Sequence, residues 1–306
     1  MTNKPVFVGV WPILITPFDA KEVLDLPALE RVVRFMAHLG MDGVTVLGVL
    51  GEANRLSDAE RDQVITTTVK AAGKMPVCVG TSHPGTTACR ALSHRAQELG
   101  AAAVMISPSQ EPTPNEGRIF DFYAKATQGL SIPVVVQDHP ASSHTFMSAA
   151  LLLRIAQEVP GVACIKEEHP PTPSKVATVL EGLKGRPITL LQGLGALYGI
   201  FDLERGAHGF MTGFAFPEAL QAMVKHARAG RLDEAWAVYT RFLPLIVFEQ
   251  QPGLAIRKEI YRLRGLIEGG TVRHPGAGLD ADTAAQLRNL VERILPGEDL
   301  TKPLSL

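Results

Sequence analysis

The apolar run Val162-Ala163-Cys164-Ile165 ends in Lys166, with Glu167 and Glu168 behind it. A strand that closes on a lysine delivers a primary amine to the end of a sheet. In a partly dry pocket the neutral amine is favoured, because burial disfavours an ammonium. Only the neutral amine attacks a ketone to form an imine. The plainer alternative is a lysine that ends a strand and is solvated, and position alone does not separate the two.

Other polar groups also follow apolar runs: Thr16, Gly48, Thr81-Ser82-His83, Ser107-Pro108, Gln137-Asp138-His139, Gln192-Gly193 and Thr212-Gly213. His83, Asp138 and Glu168 are the candidates for moving protons. A histidine such as His83 has a suitable unperturbed pKa. A carboxyl such as Glu168 needs its pKa raised to act as an acid near neutrality. Gln137 reads as a hydrogen-bonding partner of substrate or of Lys166. In the turn Gly48-Val49-Leu50-Gly51-Glu52, backbone N–H groups can hold a carboxylate without an arginine, and Thr81 and Ser82 can add hydroxyls. Gly193 and Thr212 shape the pocket. Each has an ordinary reading too: a loop histidine, a solvated carboxylate, a common strand-to-helix turn. His139 and His144 read as structural or surface residues.

The spacing predicts the elements that carry these groups. Short apolar runs (Val6 to Ile15, Gly43 to Leu47, Pro76 to Gly80, Ala102 to Ile106, Pro133 to Gln137, Val162 to Lys166, Ile188 to Leu191, His208 to Thr212) alternate with helical patterns. Those patterns are Leu26 to Leu39, a helix opened by the capping box Ser57 to Glu60, Thr86 to Leu99, Asn115 to Gln128, Ser148 to Glu158, Pro173 to Leu183, Ala196 to Arg205 and one after Pro217. Unbroken apolar strands fit a parallel sheet covered on both faces. Eight strand–helix units predict an α/β fold, a (β/α)8 TIM barrel, whose active site lies at the C-terminal strand ends. A doubly wound sheet is the competitor, but no GxGxxG turn follows the first strand. The barrel is expected over residues 1–229. Residues 230–306 read as a C-terminal helical extension (Leu232 to Phe248, Leu254 to Arg264, Asp280 to Ile294), loosely held from Pro296.

Composition excludes several classes. Of 306 residues 46% are hydrophobic and 20% charged, with net charge −1. No basic excess is available to neutralise phosphates, so nucleic acid is not an expected partner. No stretch of about 18 apolar residues predicts a membrane span. Cys78, Cys89 and Cys164 form no CxxC pair; they suit a reducing cytosol rather than a disulfide framework. Met1 to Pro5 carries no secretory apolar region. No His/Asp/Glu set has clear metal-ligand spacing, which disfavours a metal-dependent aldolase.

Taken in order, these pieces resemble the dihydrodipicolinate synthase/N-acetylneuraminate lyase family of class I aldolases over nearly the whole chain. Ile15-Thr16-Pro17-Phe18 looks like its T-P-F/M opening, and Gly48 to Glu52 its G-x-x-G-E carboxylate loop. Ile165-Lys166-Glu167 looks like its Schiff-base segment, and Gly206-Ala207-His208-Gly209 its approach to the last strand. The resemblance implies a lyase on a small 2-keto acid. It implies covalent imine chemistry at Lys166 with no further cofactor and no metal, in a cytoplasmic homotetramer.

The departures narrow this reading. The loop has Val49-Leu50 where the family usually has Ser/Thr-Thr. The strand-5 end is Gln137-Asp138-His139-Pro140 where the family has Y-N-x-P, so its tyrosine proton relay is missing. Ser142 replaces the arginine used in condensing pyruvate with aspartate semialdehyde. A similar branch is the 2-keto-3-deoxy-L-arabonate dehydratases, which share Val136 to Ser142, Thr81-Ser82-His83, Glu168 and Arg273-His274-Pro275. A dehydratase is therefore the expectation. A pyruvate-dependent aldolase and a non-catalytic keto-acid-binding barrel are the alternatives.

Overall fold

A computed structural model describes residues 6–110, 115–251 and 253–306. Met1 to Pro5, on which the absence of a leader was read, lie outside the described residues. The strands are β1 (Gly9–Val10), β2 (Val44–Val46), β3 (Val77–Gly80), β4 (Ala103–Ile106), β5 (Val134–Asp138), β6 (Val162–Glu167), β7 (Thr189–Gln192) and β8 (Gly209–Phe210). All paired neighbours are parallel, in the order β1-β8-β7-β6-β5-β4-β3-β2. Beyond β1, Ile13 bridges Thr45, and the Leu14 N–H donates to the Thr45 carbonyl at 2.8 Å. That contact brings the two edge strands together and gives the expected (β/α)8 barrel.

The helices between strands are α1 (Leu26–His38), α2 (Asp58–Ala72), α3 (Thr86–Glu98), α4 (Glu116–Ala126), the single turn α5 (Pro140–Ser143), α6 (Ala149–Glu158), α7 (Thr172–Gly182), α8 (Gly199–Glu204) and α9 (Pro217–Arg228). The Ser57–Glu60 capping box opens α2 as the sequence predicts, with both reciprocal hydrogen bonds formed. Sequence periodicity did not reveal α5, because one turn is too short to show a period. The stretch from Ala196 is a 3₁₀ turn (Leu194–Ala196) and then α8, not one helix.

Side-chain alternation explains the unbroken apolar strands. Cys78, Met105, Val135, Cys164 and Leu191 point inward and join Trp11 and Ile13 in one lumen cluster. Their neighbours Val79, Val104, Val136, Ile165 and Leu190 point outward and pack against the helices. Both strand faces are buried, so both must be apolar. All three cysteines are free and buried.

The chain continues as α10 (Leu232–Phe248), α11 (Gly253–Leu263) and α12 (Ala281–Ile294), with α10 packed on α9 and α12. The residues after Pro296 are not loosely held. Leu304 is buried, and its N–H donates to Glu218 Oε1 at 3.3 Å. Glu218 also forms a buried pair with Arg264, whose Nε donates to the Leu300 carbonyl at 3.3 Å, so the tail adds hydrogen bonds to both members of a buried ion pair. Among the described residues, no helix is long and apolar enough to cross a membrane.

Candidate active site

The same alternation sorts the polar groups at the strand ends. On β5 and β6 the register pairs Gln137 with Lys166 and Asp138 with Glu167. Gln137 and Lys166 continue the inward set, after Val135 and Cys164. Asp138 and Glu167 continue the outward set.

Lys166 is 4% exposed. Its Nζ lies 2.8 Å from Glu168 Oε2. Gln137 Nε2 donates to the same oxygen at 2.7 Å, and Ser107 Oγ donates to Gln137 Oε1 at 2.9 Å. Ser82 Oγ in turn accepts the Ser107 N–H at 2.8 Å. The other Glu168 oxygen accepts the Leu194 N–H at 3.1 Å. Gly193 makes room for this carboxylate: a Cβ there would stand 2.3 Å from Glu168 Cγ and Oε1. Amine, carboxylate and amide thus form one buried network whose rotamers are locked by three strands.

Burial alone would raise the Glu168 pKa, but Lys166, His139 and the hydrogen bonds from Lys166 and Gln137 outweigh it. The carboxyl is held below its ordinary range. The raised value that an acid role near neutrality needs is absent here, and the charged carboxylate is favoured.

Lys166 and Glu168 line a cavity of about 150 Å³ together with Val49, Leu50, Gln137, His139, Thr212, Gln250 and Arg257. A larger cavity of about 420 Å³ shares Gly48, Val49, Met105 and Gln137 with it and is walled by Ser82, His83, Ser107 and Arg61. The loop is a 3₁₀ turn (Val49–Gly51) in which the Gly51 N–H donates to the Gly48 carbonyl at 2.9 Å. Gly51 therefore has no spare donor, and the amides left for a carboxylate are those of Val49 and Leu50. Thr16 Oγ1 donates to the Gly51 carbonyl at 2.7 Å and fixes the turn. Glu52 adopts φ 53°, is buried, and pairs with Arg55, Lys258 and the Arg273 N–H. It anchors the loop to the C-terminal helices.

The remaining sequence candidates fall in different places. Ser82 and His83 are exposed on the larger cavity, and His83 Nδ1 accepts the Gly85 N–H at 2.9 Å. Thr212 Oγ1 accepts the Gly195 N–H at 2.7 Å and so shapes the cavity wall. Thr81 points outward; its hydroxyl meets Ser93 Oγ of α3 at 2.8 Å. Asp138 also points outward, onto Lys175 of α7. Beside it, burial and then repulsion from Asp138 push Glu167 up to about 9, against the pull of Lys175.

Sequence reasoning passed over three cavity residues. His139 continues the inward set Val135-Gln137 by one more step, a signal the alternation carries. Burial lowers its pKa, and its Nδ1 lies 2.6 Å from Ser142 Oγ. Gln250, in the turn after α10, and Arg257, on α11, come from the C-terminal segment and left no local signal. Among the described residues, no group of three or more His, Cys, Asp or Glu is placed to hold a metal ion.

A parallel eightfold barrel carries a buried lysine at the C-terminal end of β6, and the chain belongs to the dihydrodipicolinate synthetase family, matching it over residues 6–294. It is an enzyme of that family, a lyase. The chain is 38% identical to the L-2-keto-3-deoxyarabonate dehydratase of Azospirillum brasilense, covering 96% of this chain and 97% of that one. It is 30% identical to a 4-hydroxy-tetrahydrodipicolinate synthase of Chlorobium limicola, covering 82% and 88%. The crystal structure of a dihydrodipicolinate synthase from Rhodopseudomonas palustris superposes with a TM-score of 0.91 at 36% identity, covering 95% and 98%.

Proposed function

We propose that the protein dehydrates a small 2-keto-3-deoxy acid through an imine on Lys166. The observation that supports this most is the buried Lys166–Glu168 pair, 2.8 Å apart and hydrogen-bonded to Gln137. It puts one carboxylate beside the amine where the family's tyrosine relay is absent. The relative named a 2-keto-3-deoxyarabonate dehydratase supports the same choice.

In this reading the Val49 and Leu50 amides receive the substrate carboxylate. Glu168 takes a proton from the Lys166 ammonium, and the free amine attacks C2. Glu168 returns that proton to the carbonyl oxygen and then carries a second one to it from the attacking nitrogen, so the oxygen leaves as water and a protonated imine remains. The imine is an electron sink, so the C3 proton becomes acidic. Glu168 accepts that proton; the imine becomes a neutral enamine and the carboxylate a neutral acid. The acid then protonates the C4 hydroxyl, which leaves as water, and the enamine electrons re-form a conjugated iminium. Attack of water on the iminium frees Lys166.

The pair keeps zero net charge at every stage. A buried site tolerates that far better than a lone charge. The carboxyl's behaviour changes with its partner: beside a cation it is a base, and beside a neutral enamine burial makes it an acid. Asp138 and Thr81 have no place in these steps, because both face the helices. His83 and Ser82, at the wider cavity, are suited to the substrate's hydroxyl end. The reading includes a homo-oligomer in a reducing cytosol, in keeping with the three free thiols.

Product analysis with a panel of 2-keto-3-deoxy acids tests the reaction. Loss of one water with the carbon skeleton intact is expected. Pyruvate plus an aldehyde would show retro-aldol cleavage instead, and imine formation without turnover would show a binding protein.

A further inference from the structure

Arg257 of α11 is 5% exposed, yet it lines the small cavity with Lys166. It comes from the C-terminal helices rather than from the barrel. Two glycines clear its path, since a Cβ would stand 2.8 Å from Nη1 at Gly253 and 3.1 Å from Nη2 at Gly195, and a Cβ at Gly213 would touch Nε at 3.5 Å. A Cβ at Gly213 would also strike Leu50 Cδ1 at 2.1 Å. Guanidinium, Gly213 and the Leu50 side chain therefore meet at the edge of the carboxylate loop.

The hydrogen-bonding ledger of this arginine is incomplete. Its Nε lies 2.8 Å from Glu249 Oε2. Among the described residues, Nη1 and Nη2 donate to nothing and stay open to the cavity, whereas the buried Nε faces only Glu249 Oε2. A guanidinium carries five donors, so the four on Nη1 and Nη2 are free to meet a ligand in the cavity. Its counter-charge is also weak. Burial pushes Glu249 up to about 7, against the pull of Arg257 and of the Ala215 N–H that donates to it. The arginine thus faces the cavity with a weakened counter-charge, inside a wall with no hydroxyl at positions 49 and 50.

We propose that Arg257 is the carboxylate anchor of this active site, gripping the 2-keto acid's carboxylate with Nη1 and Nη2 beside the Val49 and Leu50 amides. The assignment rests on reading the cavity as a 2-keto-acid site. A guanidinium presents two parallel N–H donors that match a carboxylate's two oxygens. Val49 and Leu50 leave the loop with backbone donors alone, and the fork from α11 supplies the missing contacts. The C-terminal helices then complete the site instead of merely packing on it.

The test is imine trapping with borohydride across a pyruvate titration, run in parallel with methyl pyruvate, which has the ketone but no charge. In the parent protein pyruvate saturates at far lower concentration than the ester. In Arg257→Met the half-saturating pyruvate concentration rises about 10- to 100-fold, the loss typical of charge-assisted hydrogen bonds, while methyl pyruvate is unaffected. Arg257→Met leaves Glu249 unpaired, so Glu249→Gln/Arg257→Met is measured beside it, with melting curves of both. The double variant shows the same loss for pyruvate. Parent-like pyruvate affinity in either variant overturns the assignment, because Arg257 then serves only to neutralise Glu249. A parent protein trapped by neither ketone overturns the keto-acid reading itself, and the assignment with it.

Discussion

Lys166 and Glu168 stand two residues apart at the end of one strand, and their side chains close into a single buried ion pair, Nζ to Oε2 at 2.8 Å. A strand sends residues i and i+2 to the same face, so the pairing follows from the backbone itself. Gln137 on the neighbouring strand holds the carboxylate in place.

Glu168→Gln should lower turnover about 10²–10⁴-fold, the usual weight of a positioned acid–base group. Slow imine formation at Lys166 should persist. Steady-state rates with long-incubation trapping check both, and turnover near the parent rate would contradict the role given to Glu168.

Gln137→Met should move the acid limb of the pH–rate profile to higher pH. The Gln137 N–H bond favours the Glu168 carboxylate and helps hold its pKa down. The first carbon-proton step needs that carboxylate, which disappears as pH falls through its pKa. Removing the bond raises the pKa, so activity is lost sooner on acidification. An unmoved acid limb would mean that Gln137 does not tune Glu168.

Thr81→Val should leave KM and kcat unchanged and lower the melting temperature. The Thr81 hydroxyl meets Ser93 Oγ at 2.8 Å in a buried contact with α3, away from the cavity. Ser93 Oγ keeps its bond to the Cys89 carbonyl at 2.8 Å, so the loss is the net worth of one hydrogen bond, about 0.5–1.5 kcal/mol. A raised KM would place Thr81 in the site after all.

Much of this was legible in the chain. Each strand is a short apolar run because both faces are covered, and Lys166 stood out by ending one of them. Strand parity also held information beyond the position of Lys166. Counting by twos from the lumen residues Val135 and Cys78 sends Gln137 and His139 inward and Thr81 outward. Arg257 was beyond reach for a physical reason: it approaches Lys166 from α11, 91 residues further along the chain, with no periodicity linking the two. The tail after Pro296 was misread likewise, since the Glu218–Arg264 pair it caps is visible only in three dimensions.

The clasp between α2 and the C-terminal segment gives a prediction about pH. Arg273, chiefly through its hydrogen bonds, holds Glu60 down at about 2 despite some opposing burial. A depressed carboxyl stabilises the fold above its unfolded pKa and loses that effect as pH falls through the folded value. The stability gap between the parent and Glu60→Gln should therefore be constant above about pH 5 and shrink towards pH 2. Denaturant melts across that range check it, and a gap independent of pH would refute the clasp's contribution.

The central claim is the imine, and the most direct measurement is borohydride reduction in the presence of pyruvate, followed by peptide mass mapping. The account predicts an adduct on the peptide carrying Lys166 and none in Lys166→Ala. An unmodified Lys166, or an adduct on another lysine, would contradict it.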